Sequence, residues 1–288
     1  MSFSIDEEVT LRLKKMANEM RRDCIRMGNA TGHLGAHFGS ALSLIEIMSV
    51  LYGQVLRSPL FGSSQIYHPN RDRFILSKGH GVMAMYAALR QVGVLSSEEL
   101  LSFKSNKTRL HAHPSINEQL GIDVSTGSLG LGFGVAVGIA LALKKTNNIE
   151  PSVYVILGDG ECNEGAVWES AMTAAHFGLD NLVVIVDQNG LQYDGPTSEI
   201  MSMSNLAAQW QASGWITTEI DGHSISNLQT EFSRLSNLRA NQPKVMIAKT
   251  VKGKGISFME NQSKWHHNRL SEEQFDLAMS ELDGELIK

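Results

Sequence analysis

Two unbroken apolar runs, residues 153–157 and 182–186, flank a stretch of helical composition. Each run is short, apolar and rich in β-branched residues. That pattern predicts strands buried on both faces. Between them, residues 164–177 read as a helix rich in small side chains, with Gly178 placed to stop it. The first run ends in Gly158-Asp159-Gly160 and the second in Asp187-Gln188-Asn189-Gly190, both turn sequences. Strand, helix and strand make a βαβ unit, whose crossover sets the two strands parallel and near each other.

The same alternation runs through the rest of the chain. Residues 6–27 predict an amphipathic helix, with Leu11, Leu13, Met16, Met20 and Ile25 at helical spacing. A helix over 40–55, a loop over 58–73, a short strand at 74–76 and a helix over 82–92 follow. A short helix over 96–105 comes next, then the glycine-rich segment 125–134. Residues 131–143 predict a buried helix, too short to cross a bilayer. After the βαβ unit come a helix at 204–213, a strand at 216–220, a helix at 225–239 and a strand at 245–248. Lys252 and Lys254 then fall in a basic stretch that predicts a solvated loop. An acidic helix over 271–287 closes the chain. The whole predicts one α/β domain spanning 1–288, a mostly parallel sheet with helices on both faces.

Composition narrows the function classes. The net charge of −5 speaks against a nucleic-acid surface or a polybasic membrane patch. Cys24 and Cys162 are too few for a disulfide framework and fit a reducing cytoplasm. The first twenty residues are charged and amphipathic, with no apolar core of a secretory leader, so a cytoplasmic location is expected. The segment Ser125-Thr-Gly-Ser-Leu-Gly-Leu-Gly-Phe-Gly134 lacks the Gly-Lys-Ser/Thr ending of a P-loop and the GxGxxG spacing, which disfavours ATP or NAD.

Chemistry concentrates where strands end. In a parallel sheet the loops after the strands share one edge, and ligands bind there. Asp159 and Asn189 each follow an apolar run and can point at one spot. With a main-chain carbonyl such as that of Leu191 they form a partial shell of hard oxygens, the donors that Mg²⁺ takes alongside phosphate and water. His80 lies in Ser77-Lys-Gly-His80-Gly, between a strand and a helix, where helix N–H groups face phosphates. His33, His37, His111, His113, His266 and His267 lie in turns. His37 reads as a turn residue with no assigned role, and His223 reads as a turn residue too.

The wording GDGECNEG…DQNGLQYDG resembles the magnesium and thiamine-diphosphate motif of the transketolase family, in particular the N-terminal subunit of a split transketolase. The resemblance covers nearly the whole chain. It implies that His33, His80, His113 and His266 face substrate as catalytic residues, with His111 and His267 as rivals to their neighbours. It implies cofactor contacts from His80, Gly127, Ser128, Leu129, Asp159, Gly160, Glu164, Asn189 and His266, and metal ligation by Asp159, Asn189 and Leu191. Leu34, Ala112 and His267 depart from the family's wording. The implied activity is transfer of a two-carbon ketol unit from a ketose to an aldehyde. The implied partner is a separate pyrimidine-domain chain, in an α2β2 assembly. Other thiamine enzymes, a 2-oxoacid dehydrogenase E1 subunit or a deoxyxylulose-phosphate synthase, and a non-catalytic subunit of the same fold, remain as rivals.

Overall fold

The computed structural model describes residues 6–57, 70–146 and 151–285. Helix α1 (Glu7–Ala30) starts where the Asp6 carboxylate accepts from the Glu8 and Val9 amides. The helix predicted over 40–55 is instead α2 (Phe38–Leu42) and α3 (Ile45–Val50), followed by a wider π-type turn, Leu51–Val55. The break falls at Ser43. There the Ser43 amide still bonds the Gly39 carbonyl at 3.2 Å, but the next amide, Leu44, bonds the Ala41 carbonyl at 3.1 Å in a tighter turn, and the Ser43 hydroxyl is directed to the Asp187 carboxylate at 2.6 Å. Residues 58–69 of the predicted loop, and the end of the last predicted helix, lie outside the described residues.

Then come β1 (Arg73–Leu76), α4 (Val82–Gln91), α5 (Ser97–Leu100) and α6 (Leu131–Lys145). Helix α5 is shorter than predicted, and Lys104 beyond it has φ 61°, which no helix tolerates. The central unit is β2 (Val153–Gly158), α7 (Gly165–His176) and β3 (Leu182–Gln188). It is followed by α8 (Thr197–Ile200), α9 (Leu206–Ala212), β4 (Ile216–Asp221), α10 (Ile225–Asn237), β5 (Lys244–Lys249) and α11 (Glu272–Glu285).

The strands form one sheet in the order β1-β2-β3-β5-β4, with every pairing parallel. Alternate residues of each inner strand go to opposite faces. Tyr154, Ile156, Val183, Ile185 and Met246 pack with α1, α3, α4 and α10. Val153, Val155, Val184, Val186 and Ile247 pack with α6, α7 and α9. Both faces are apolar because both are covered, as parallel sheets require. The α/β fold with helices on both faces is therefore as expected.

One expectation fails. Helix α6 is not a buried helix: Leu131 is 61% and Val135 46% exposed, while Phe133, Ala136 and Val137 are buried. It is apolar all round, yet only one of its faces is covered by this chain. Its N-terminus is pressed against the end of β1, where a Cβ on Gly132 would lie 2.8 Å from the Ser77 hydroxyl.

Candidate active site

Parallel register puts the loops after β1, β2, β3 and β5 on one edge, and they enclose a cavity of about 310 Å³. Asp159 follows β2. Its carboxylate accepts from the Gly160 amide at 2.9 Å and, across the loop tips, from the Gly190 amide at 2.7 Å. The two loops thus converge. Burial and then the charge of Asp187 push the Asp159 carboxyl up to about 6, against the pull of those amides and of Lys78. Asn189 follows β3. Its amide nitrogen donates to Asp187 at 3.0 Å, and an ionised carboxylate only accepts, so the flip is fixed. Its oxygen takes the Leu191 amide at 3.2 Å.

Asp187 is the buried hub beneath these loops. Its carboxylate receives the Lys78 ammonium, the Ser43 and Thr250 hydroxyls and the Asn189 amide. Burial opposes its charge, but Lys78 and the hydroxyls outweigh that and hold the acid below the usual carboxylate range.

Lys252 corrects a sequence expectation. It is not on a solvated loop but 1% exposed, with Nζ 2.9 Å from the Leu191 carbonyl, 3.2 Å from the Gln192 carbonyl and 2.9 Å from His266 Nδ1. No carboxylate forms an ion pair with it among the described residues. Burial, then Lys78, push its ammonium down to about 8. The reason for the miss is tertiary: Gly39 lies against its stem, where an added Cβ would stand 2.9 Å from Lys252 Cγ, and the Gly253 amide bonds the Gly39 carbonyl at 3.0 Å.

The mouth of the cavity is lined by imidazoles. His37, which sequence reading left without a role, is their centre. Its ring lies 5.7 Å from His80, 5.6 Å from His113, 5.6 Å from His266 and 4.6 Å from His267, centroid to centroid. His80 and His266 stack at 5.0 Å. Burial is the first cause lowering all of them: His37 and His266 to about 3, His80 well below its ordinary value, His113 and His267 more mildly. Neighbouring lysines add to the effect, Lys78 at His80 and Lys252 at His266. The cluster is therefore neutral at pH 7, and each ring both donates and accepts.

Several expected residues stand elsewhere. His33 is exposed and lines a separate recess of about 230 Å³ with Leu34, His267 and Arg269. His111 is exposed and offers its carbonyl to Tyr86, whereas His113 lines the main cavity. Of the glycine-rich segment, Gly127 and Leu129 line the cavity, and Ser128 is exposed beside them. Gly127 has φ 146° and lies against the His113 ring, an arrangement closed to a side chain. Glu164 is exposed at the start of α7 and its side chain makes no capping bond. Glu161 is the buried acid instead: it accepts from Ser77 at 2.6 Å, the Gly130 amide at 2.8 Å and the Gly158 amide at 3.1 Å. Lys78, Lys252 and Glu161 all sit just past a strand's C-terminal end, and that position was the signal available for them.

These donors fit the expected cation and diphosphate. Among the described residues no three His, Cys, Asp or Glu side chains gather to hold a metal. A cation here would rest on one carboxylate, Asp159, with the Asn189 oxygen, the second lone pair of the Leu191 carbonyl and ligand phosphate, the sparse protein shell that Mg²⁺ accepts. The buried Lys252 ammonium, with no ion pair among the described residues, faces the same cavity and matches an anion, while Lys78 beside it is paired with Asp187.

Residues 14–284 match the family profile described as transketolase, thiamine diphosphate binding domain. The chain is 38% identical over 274 residues to one of the subunits of the apulose-4-phosphate transketolase of Actinobacillus succinogenes, covering 95% of this chain and 96% of that protein. It is 37% identical over 279 residues to a 6-deoxy-6-sulfo-D-fructose transketolase subunit of a Clostridium species, covering 96% and 98%. Against human transketolase it is 36% identical over 281 residues but spans only 44% of that protein. The solved transketolase of Leishmania mexicana superposes with a TM-score of 0.84 at 28% identity, over 94% of this chain and 41% of that one.

Proposed function

This chain belongs to the transketolase family, as its thiamine-diphosphate-binding domain, and from that premise we propose that it works as one subunit of a two-chain, Mg²⁺-dependent ketol transferase. The reaction is movement of a two-carbon unit from a ketose to an aldehyde. When bound, thiamine diphosphate supplies the electron sink for breaking the C2–C3 bond. The chain's own residues bind, orient and move protons. Asp159, Asn189 and the Leu191 carbonyl would hold Mg²⁺ with the diphosphate, and Lys252, which forms no ion pair among the described residues, would meet its remaining charge. Gly127, Ser128, Leu129 and Gly160 border the cofactor. His37, His80, His113 and His266, being neutral, donate to the sugar's oxygens and accept from its hydroxyls. His33, in the outer recess, meets the distal part of a substrate.

One observation carries this reading. The buried Asp159 carboxylate, at the tip where two loops converge, and a buried lysine, Lys252, that forms no ion pair among the described residues face one cavity. The first is stabilised by a cation and the second by an anion, and a metal diphosphate is both. The partner chain follows from the relatives named as transketolase subunits and from the bare face of α6, with Leu129 and Met172 beside it. We assign it the pyrimidine half of the cofactor site and an α2β2 assembly. The sugar is of the small, charged kind named for those relatives, a sugar phosphate or a sulfo-sugar. The test is calorimetric titration of Mg²⁺ and thiamine diphosphate into the subunit with its partner. Asp159→Ala should weaken binding by about 100-fold; unchanged binding overturns the site. Ketoses and pyruvate offered as rival donors then separate this reaction from that of the other thiamine enzymes.

A further inference from the structure

Lys252 is held in the cavity by a loop with no regular structure, and something must fix that loop. The Val251 amide, one residue away, donates to His223 Nε2 at 2.8 Å. His223 follows β4, in the turn Asp221-Gly222-His223, and its other nitrogen lies 2.8 Å from Glu46 Oε2 on α3. The second oxygen of Glu46 takes the Arg21 guanidinium from α1. Arg21 also reaches forward, its Nε donating to the Lys254 carbonyl at 3.3 Å. Both ends of the loop around Lys252 are thus tied to one buried assembly.

The chemistry of the assembly is determined by its partners. An amide N–H can only donate, so His223 Nε2 must be a bare acceptor. Glu46 is an acceptor, so His223 Nδ1 carries the proton. Burial works against the Glu46 charge, but Arg21 and His223 outweigh it and hold the acid down to about 2. The carboxylate therefore fixes the imidazole in the one tautomer that can receive Val251, as an outer carboxylate orients a ligating histidine.

We propose that His223, oriented by Glu46 and Arg21, is a positioning residue: it touches neither substrate nor cofactor, and it sets Lys252 in the cavity through the Val251 amide. The functional weight of this rests on the reading above, but the positioning itself can be measured without cofactor. Asparagine at 223 can reproduce the Nδ1 contact to Glu46 and leaves Val251 without an acceptor. Glutamine can place an oxygen where Nε2 was.

The experiment is acetylation of the folded full-length chain, read lysine by lysine by mass spectrometry. Lys252 and Lys244 are each 1% exposed, and Lys244 is held in β5 by the Asp180 and Leu235 carbonyls. Lys244 thus reports general loosening. His223→Asn should raise the labelling rate of Lys252 about tenfold and leave Lys244 unchanged, and His223→Gln should keep both at the wild-type rate. Wild-type labelling of Lys252 in His223→Asn, or a parallel rise at Lys244, overturns the proposal. A second measurement takes the subunit with its partner, Mg²⁺ and thiamine diphosphate. His223→Asn and Lys252→Met should each weaken binding about tenfold, and the double variant no further, because the two act as one unit. Effects that multiply in the double variant refute the coupling. Loss of binding in the wild type would sink the functional reading and leave the labelling result standing.

Discussion

Helices α4 and α6 are nearly alike in sequence character and opposite in fate. Val82–Gln91 is apolar through Leu89, and every residue from Val82 to Leu89 is buried against α1, α3 and the sheet. Leu131–Lys145 is more apolar still, yet Leu131 and Val135 face outward. Apolarity reports that a surface will be covered, without reporting by which chain. The difference lies in the layers behind the helices. α1, α3, α10 and α11 share one core with α4, whereas α6 and α7 form an outermost layer.

The largest expected effect separates the two helices directly. Leu89→Ala should cost the isolated chain about 3 kcal/mol in urea unfolding, whereas Leu131→Ala should cost less than about 0.5 kcal/mol. Equal losses would mean that α6 is as enclosed as α4. The next effect belongs to the closed side alone. Glu46 is held at about 2 in the fold and sits near 4.5 when unfolded. Its contribution is complete above the unfolded value and is lost as pH falls toward the folded one. Between pH 6 and pH 3 the wild type should lose about 2 kcal/mol more than Glu46→Gln. A parallel decline of both proteins would remove that contribution. The smallest effect sharpens the open side. Val135→Lys should leave the melting temperature of the isolated chain in place and weaken its association with the partner chain by about tenfold, read by sedimentation. Unaltered association would place the partner elsewhere.

The same contrast explains what could be read from the sequence. Strand and helix positions were legible because apolar periodicity is local, and the Asp159 and Asn189 loops were legible because each directly follows a strand. What stayed hidden depends on what packs against what. Lys252 reads as solvated by composition and is enclosed by Gly39, Leu191 and His266. His37 carries no local signal and becomes central only when the segments bearing His80, His113 and His266 meet around it. Glu161 and Glu164 lie three residues apart, and only the turn between them decides which one goes inside. The exposed face of α6 could not be read at all, since sequence apolarity is the same whether the cover comes from this chain or another.

The ion pair of Lys78 and Asp187 bears on which substitutions the chain tolerates as well as on its chemistry. Its members are 109 positions apart and almost wholly shielded from water. Loss of either would strand the other as a lone charge, costing about 3–5 kcal/mol out of the roughly 5–15 kcal/mol that keeps a domain folded. A single replacement at either position therefore removes a large share of the folding free energy, whereas replacing both together with apolar residues of like volume strands no charge. Two positions far apart in the chain thus answer to each other, and neither can be varied alone at low cost.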